Sequence, residues 1–443
     1  MKTRKKVLAS LLISILTISM LAGCGSKNEE GGSKNEGSGN GEKKVTLRMI
    51  ESLTSPKRTA LIQAMVTKFE EANPNIKVEF ISPPFDQADN KIRTMLASNE
   101  QIDVLEARDL NVAEFVNNGY LEPLNTYADK WSDYATISAV SKSVGSVGDK
   151  LYFIPNGLYQ RQMFYRADWL KEAGLNPPTT WDELYEVSKK LTDPAQNRFG
   201  FSFRGGAGST GTTDAMILAF NGDKVNLEDS MFTKDGATIY STPEAKAAME
   251  LYLKLYKEGS PPDSINWGFQ EQVQAFTSGV TGILLQDPDV IQSLQEKMTE
   301  GTWATAPLVT GPTGKALFAA GGAGWGIGAK SEYKEEAWKL IEFLSSPEAN
   351  TSFSKDYGLI PIHASATEDE FFKTGPYKTL IDMTNKPDTF VNFKPAFQYP
   401  GNAQWGQVAM ESGQSLLLGN TNVDETLKKW DQYWADEKSK LNK

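Results

Sequence analysis

The sequence predicts an α/β fold large enough to form two lobes. Three observations carry this. Strand-like and helix-like segments alternate at the spacing of βαβ units from Val45 to Glu106, which calls for a parallel sheet. At 443 residues the chain suggests two domains or one large bilobal unit. No stretch after residue 23 approaches the run of about 18 apolar residues that a membrane span needs.

In chain order, the first element is a targeting signal. Lys2, Arg4, Lys5 and Lys6 form a positive region before an apolar run, Val7 to Leu21, broken only by Ser and Thr. That run is too short for a membrane span. It ends in Leu21-Ala22-Gly23-Cys24, which resembles the lipobox of bacterial lipoproteins. The resemblance implies a signal peptide over 1–23, cleavage before Cys24, and acylation of its thiol. Cys24 is the single Cys of the chain, so no disulfide framework competes for it. One acyl chain binds a membrane only marginally, and the lipobox resemblance implies more than one. Residues 24–44 follow as a tether rich in Gly, Ser, Asn, Glu and Lys, with Gly-Ser-Lys-Asn-Glu at 25 and again at 32. It has no apolar residue to build a core and spans about 25 Å as a flexible coil.

The body then begins. Val45 to Glu51 alternates apolar and polar residues and reads as a strand. Thr54-Ser55-Pro56 gives a helix start, a hydroxyl cap with Pro in the first turn, and Leu61, Met65 and Phe69 fall on one face. Asn73-Pro74 ends that helix. Strands are expected at Ile76 to Ile81 and Ile102 to Glu106, with a helix at Ala88 to Ser98 between them. Further strands read at Lys150 to Ile154, Gln162 to Tyr165, Gly200 to Phe203 and Gly282 to Leu285. Helices read at Ala167 to Ala173, Trp181 to Leu191, Ala245 to Glu258, Gln270 to Ser278, Lys334 to Ser345 and Val423 to Lys438. Trp338, Trp430 and Trp434 lie on apolar helix stripes and are expected to pack.

The order of several segments is similar to the sugar-binding branch of the extracellular solute-binding proteins of ABC importers, the family that includes maltose-binding protein. The segments are Phe69-Glu-Glu-Ala-Asn-Pro-Asn-Ile-Lys-Val, Leu96 to Asn99 with Ile102-Asp103-Val104, and Phe164 to Trp169 with Ala173-Gly174-Leu175 and Pro178 to Asp182. Phe276 to Leu284, Gly321-Gly322 with Trp325 to Lys330, Ala337-Trp338 and Phe343-Leu344 complete the series. The resemblance implies a periplasmic-binding-protein-like fold: two α/β lobes, a ligand cleft and hinge crossovers. It implies one lobe over 45–155 plus 306–356 and the other over 156–305 plus 357–443. It also implies capture of a carbohydrate, an oligosaccharide, and delivery to an ABC permease by a monomer anchored outside the cytoplasmic membrane. No catalysis and no cofactor are expected.

Ligands of open α/β sheets bind beyond the carboxyl ends of the strands. That rule selects Glu51 and Ser52 after the first strand and Arg108 and Asp109 after the third. Gln87, just before the second helix, joins them, as do Tyr159 and Arg161 after the 150–154 segment. A carboxylate accepts two hydroxyl protons and a guanidinium donates a fork. Aromatic rings supply flat faces for pyranose C–H groups. Trp325 stands among Gly321, Gly322, Gly324 and Gly326, which fill little of a core and admit a close ligand. Trp267, Tyr399 and Trp405 are the other aromatic candidates. The resemblance places a stacking ring after the 282–285 strand. This chain carries Asp287-Pro288-Asp289 there, so maltose-like specificity is not implied, and Asp287 becomes a hydroxyl acceptor.

Other chemistries are thinly supported. Gly206-Ala-Gly-Ser-Thr-Gly211 fits a dinucleotide-binding spacing, but it also suits a cleft loop with Arg204 as a donor. Gly314-Lys315-Ala316 lacks the hydroxyl residue of a phosphate loop. His363 is the only His, and one His with one Cys makes no zinc site. The net charge of −10 argues against a nucleic-acid partner. The alternatives left open are a secreted glycosidase with paired carboxylates and a surface glycan adhesin. Arg108, Arg161 and Arg204 hint at an acidic sugar.

Overall fold

The computed structural model describes residues 44–441. The expected signal peptide, Cys24 and the tether up to Lys43 lie outside the described residues. The body opens with strand Val45–Ile50, parallel to Ile76–Ile81 on one side and Val104–Arg108 on the other. Helix Pro56–Ala72 starts where the sequence dictates: the Ser55 side chain accepts the Arg58 N–H, and Pro56 occupies the first turn. Its buried ridge is Ile62, Val66 and Phe69, with Leu61 and Met65 half-buried beside it. The second helix starts at Phe85, three residues before the first expected position.

The five-stranded first sheet is not wholly parallel. Strand Gly321–Ile327 inserts between Val104–Arg108 and Ile154–Tyr159 and runs antiparallel to both. The sequence suggested that its glycines open space for a ligand. They admit the neighbouring strand instead, because a Cβ at Gly324 would collide with the Ile154 carbonyl. The register shifts between Gly322 and Gly324, a bulge that glycine permits.

The second sheet orders Trp303–Ala306, Gln162–Arg166, Thr281–Gln286 and Phe199–Phe201. The chain passes between the bodies at 160–161, at 319–320 and after His363. The first passage falls past 155 because Ile154–Tyr159 hydrogen-bonds into the first sheet. The second falls past 306 because Trp303–Ala306 and the Ala316–Phe318 ladder with Phe390–Asn392 stay with the second body. Each body has its own core. One gathers Met49, Phe69, Val104, Ile327 and Trp338; the other gathers Phe203, Met216, Tyr252, Trp430 and Trp434.

Strand direction decides where a site can form. The carboxyl ends at Ile50, Arg108 and Tyr159 and the amino end at Gly321 share one edge of the first sheet. The ends at Phe201, Gln286 and Ala306 and the start at Gln162 share one edge of the second. Only Gln160 and Arg161 separate Tyr159 from Gln162, so both edges border the same space.

Candidate ligand cleft

Two adjoining cavities occupy that space. The larger, about 480 Å³, lies between Asp109, Val112, Lys142 and Val144 of the first body and Glu228, Phe393 and Lys394 of the second. The smaller, about 320 Å³, is bordered by Tyr159 and Gly321 on one side and Arg161, Trp181, Asp214, Asp287 and Phe318 on the other. They share Phe393 and meet along Ala319, Ala320 and Gly321, which form the second passage between the bodies.

Asp214 is the best-oriented acceptor. It sits in the second turn of helix Thr210–Asn221. Its Oδ2 accepts the Trp405 indole N–H at 2.9 Å, and its Oδ1 accepts the Tyr240 hydroxyl at 3.0 Å. Each oxygen keeps lone-pair capacity for a ligand hydroxyl. Burial pushes its carboxyl up to about 6, against those two hydrogen bonds. The sequence reading missed Asp214, although one acid in the otherwise apolar run after the glycine loop was a usable signal.

The sequence-selected residues divide sharply. Asp109, Tyr159, Arg161 and Asp287 line the cavities. Asp109 also ties the passage to the first body: its Oδ2 accepts the Gly322 N–H at 3.1 Å. Burial raises its carboxyl above the usual range, opposed by the Gly322 and Leu110 N–H groups. Gly322 thus contributes its backbone N–H rather than a ligand contact. Arg204 stands half-buried beside the loop preceding Asp214 and donates from Nε to the Ala207 carbonyl at 2.6 Å. Arg108 pairs with Asp89 at 2.8 Å at the end of its strand. Gln87 is exposed near the start of helix Phe85–Ala97.

Five residues are placed away from the cavities. Glu51 is fully buried and pairs with Arg58 at 3.3 Å while accepting the Thr59 hydroxyl. Ser52 is buried and donates twice to Glu106, at 2.8 Å from N and 3.0 Å from Oγ. Arg58 therefore serves as counter-ion to both Glu51 and Glu106. Trp325 is 2% exposed in the core of the first sheet, so it presents no face to a ring. Tyr399 is a core residue whose hydroxyl donates to Asp229 at 2.8 Å. Trp267 lies in a separate open groove with Asp263 and Glu271, and its N–H donates to Asp263 at 3.2 Å.

Trp405 is an instructive intermediate. It is 4% exposed and packs against Tyr240, Trp430 and Trp434, so it does not stack on a ligand. It acts through Asp214, whose carboxylate it holds. Rings that do line the cavities are Tyr159, Trp181, Phe318, Phe393 and Phe397, the last four unforeseen.

His363 is buried in the first body. Its Nε2 lies 2.7 Å from the Ser345 carbonyl, which fixes Nε2–H as a donor and leaves Nδ1 to accept from Thr136 at 2.7 Å. With both nitrogens engaged in the interior, it cannot serve as a base in the cleft. Among the described residues no group of His, Cys, Asp and Glu is arranged to hold a metal ion, and no helix is long and apolar enough to cross a membrane.

The family model of bacterial extracellular solute-binding proteins matches residues 54–351, and the chain belongs to that family. It is a family of binding proteins, not enzymes. A putative binding protein of Brucella abortus is 26% identical over 391 residues, covering 88% of this chain and 91% of that protein. The mannitol-binding protein of Pseudomonas aeruginosa is 28% identical over 256 residues, covering 56% of this chain and 57% of its own. Maltose-bound T. maritima MalE3 superposes with a TM-score of 0.74 at 22% identity, covering 88% of this chain and 98% of that one.

Proposed function

We propose that this protein captures a carbohydrate between its two bodies and delivers it to an ABC importer from a lipid anchor on the outer face of the cytoplasmic membrane. The observation that carries the reading is the pair of adjoining cavities at the facing sheet edges. They combine aromatic rings with an oriented carboxylate and a guanidinium. Rings offer flat apolar faces to pyranose C–H groups, and Asp214, Asp287 and Arg161 offer charge-assisted hydrogen bonds to hydroxyls. The relatives that bind mannitol and maltose support the same ligand class. Two chambers of about 480 and 320 Å³ that meet at Phe393 favour an oligosaccharide over a single polyol.

Transport use requires a signal that the site is filled. The three chain passages form the hinge of this reading, and a sugar touching both edges stabilises the closed form. Shifting from 1:99 to 99:1 closed takes a preference of about 5.5 kcal/mol for the closed state, which a few charge-assisted bonds and stacked rings can supply. The lipobox at Leu21 to Cys24 supports the anchor, and the tether gives the body reach to a permease. A thermal-shift screen across mono- and oligosaccharides tests the proposal, because ligand binding raises apparent stability by mass action. A cognate oligosaccharide should raise the melting temperature with no new reducing ends on prolonged incubation. Absence of any shift across neutral and acidic sugars alike would refute it.

A further inference from the structure

We infer that the second body's wall of the cleft takes a negatively charged group of the sugar, the carboxylate of a uronic acid residue, at Arg161 and Arg204. The inference rests on the reading of the cleft as a sugar site and names the class of sugar.

The two guanidiniums converge on one loop, Gly206 to Gly211. Arg161 donates from Nη1 to the Gly211 carbonyl at 2.7 Å, and Arg204 from Nε to the Ala207 carbonyl at 2.6 Å. Two of its glycines leave room for them: a Cβ at Gly208 would meet the Arg204 guanidinium and one at Gly211 that of Arg161, whereas Gly206 faces the Asn266 and Trp267 carbonyls and Gly208 also takes a φ of +85°. The two like charges sense each other. Burial first, and then the Arg161 charge, hold Arg204 below its ordinary value.

Compensation within the protein is incomplete. The Asp287 carboxylate is 3.7 Å from Arg161 Nε, an ion pair but not a hydrogen bond. Among the described residues no carboxylate lies within 4.0 Å of Arg204. Arg108 and Arg166, by contrast, close on Asp89 and Asp168 at 2.8 and 2.5 Å. Two further donors border the place. Trp181 lines the cavity at 3% exposure, and its indole N–H has no partner. The loop also opens helix Thr210–Asn221, whose first turn carries positive partial charge. Asp214, one turn further in, supplies the acceptor that the hydroxyls of the same sugar need. A carboxylate on the sugar thus meets Arg161 at the cavity wall, with Arg204 on the same loop adding to the positive field, while its hydroxyls meet Asp214.

Titration calorimetry of the mature protein with uronate di- and trisaccharides, each matched to its neutral counterpart, tests this. At 25 mM NaCl at least one uronate should bind tenfold or more tightly than its neutral match, and the difference should shrink at 250 mM. Arg204→Gln should erase most of that difference while keeping neutral-sugar affinity within threefold, which shows that the variant is folded, and Arg161→Gln should weaken both sugars but the uronate at least threefold more than its neutral match. A neutral sugar binding as tightly as its uronate match, or uronate affinity surviving both substitutions, would overturn the inference and leave sugar capture standing. Binding of no sugar of either kind would remove the capture reading itself.

Discussion

Asp214 carries the sharpest residue-scale consequence. Asp214→Asn keeps the shape and loses the charge, and we expect sugar affinity to fall at least tenfold, read by calorimetry. Trp405→Phe keeps a ring but removes the donor to Asp214. It should weaken binding severalfold, although the ring itself touches no ligand. The pH dependence has two opposite signs. The folded carboxyl titrates near 6, above its unfolded value of about 3.9. In the free protein its contribution to stability is therefore full below pH 4 and is lost as pH rises through 6. Sugar hydroxyls donate to the ionised form, so affinity should rise over that same interval. Melting curves and titrations from pH 4.5 to 7.5 should show both trends in the wild type; Asp214→Asn should lose the affinity trend and keep only the part of the stability trend that Asp289 supplies, whose carboxyl burial pushes up to about 7. Arg58 tests the reassignment of Glu51 and Ser52. Arg58→Ala strands two buried carboxylates, Glu51 and Glu106, and should cost about 3–5 kcal/mol in chemical denaturation.

At the scale of elements, most of the fold was legible and the reason is local. A helix with a hydroxyl cap and a proline, such as Pro56–Ala72, announces its start in sequence; Pro243–Gly259 carries the same signal at Thr242 and Pro243, two residues before the expected start at Ala245. Strands with strict alternation, such as Val45–Ile50, announce their faces. Gly321–Ile327 did not, because its glycines answer non-local demands: the backbone of Ile154 and Pro155 lies where a Gly324 side chain would be, and the Tyr152 carbonyl where one at Gly326 would be. Gly324→Ala should accordingly destabilise the protein by about 2–4 kcal/mol and lower its melting temperature without changing the cleft residues. The site divided along the same line. Strand-end logic selected Asp109, Tyr159 and Arg161, and the family resemblance Asp287, all of which border the cavities. It failed for Trp325 and Trp405, because a tryptophan's burial depends on partners distant in sequence. It also passed over Asp214, Phe318 and Phe393, which reach the cavity only through packing of the second body.

For the whole molecule, the account stands on two bodies, each with its own main core, that share a smaller cluster around Leu158, Ile360, Phe164 and Leu284 and are joined by three passages, with the ligand edges of both sheets facing one space. On the proposed hinge reading, such a molecule is open when empty and closes on a ligand that touches both edges. Small-angle scattering of the mature protein, free and at calorimetrically verified saturation with its tightest sugar, tests that claim most directly. The account predicts a smaller radius of gyration with sugar, and for Asp214→Asn the same contraction only at tenfold or more higher sugar concentration. An unchanged radius at full saturation of the wild type would contradict it.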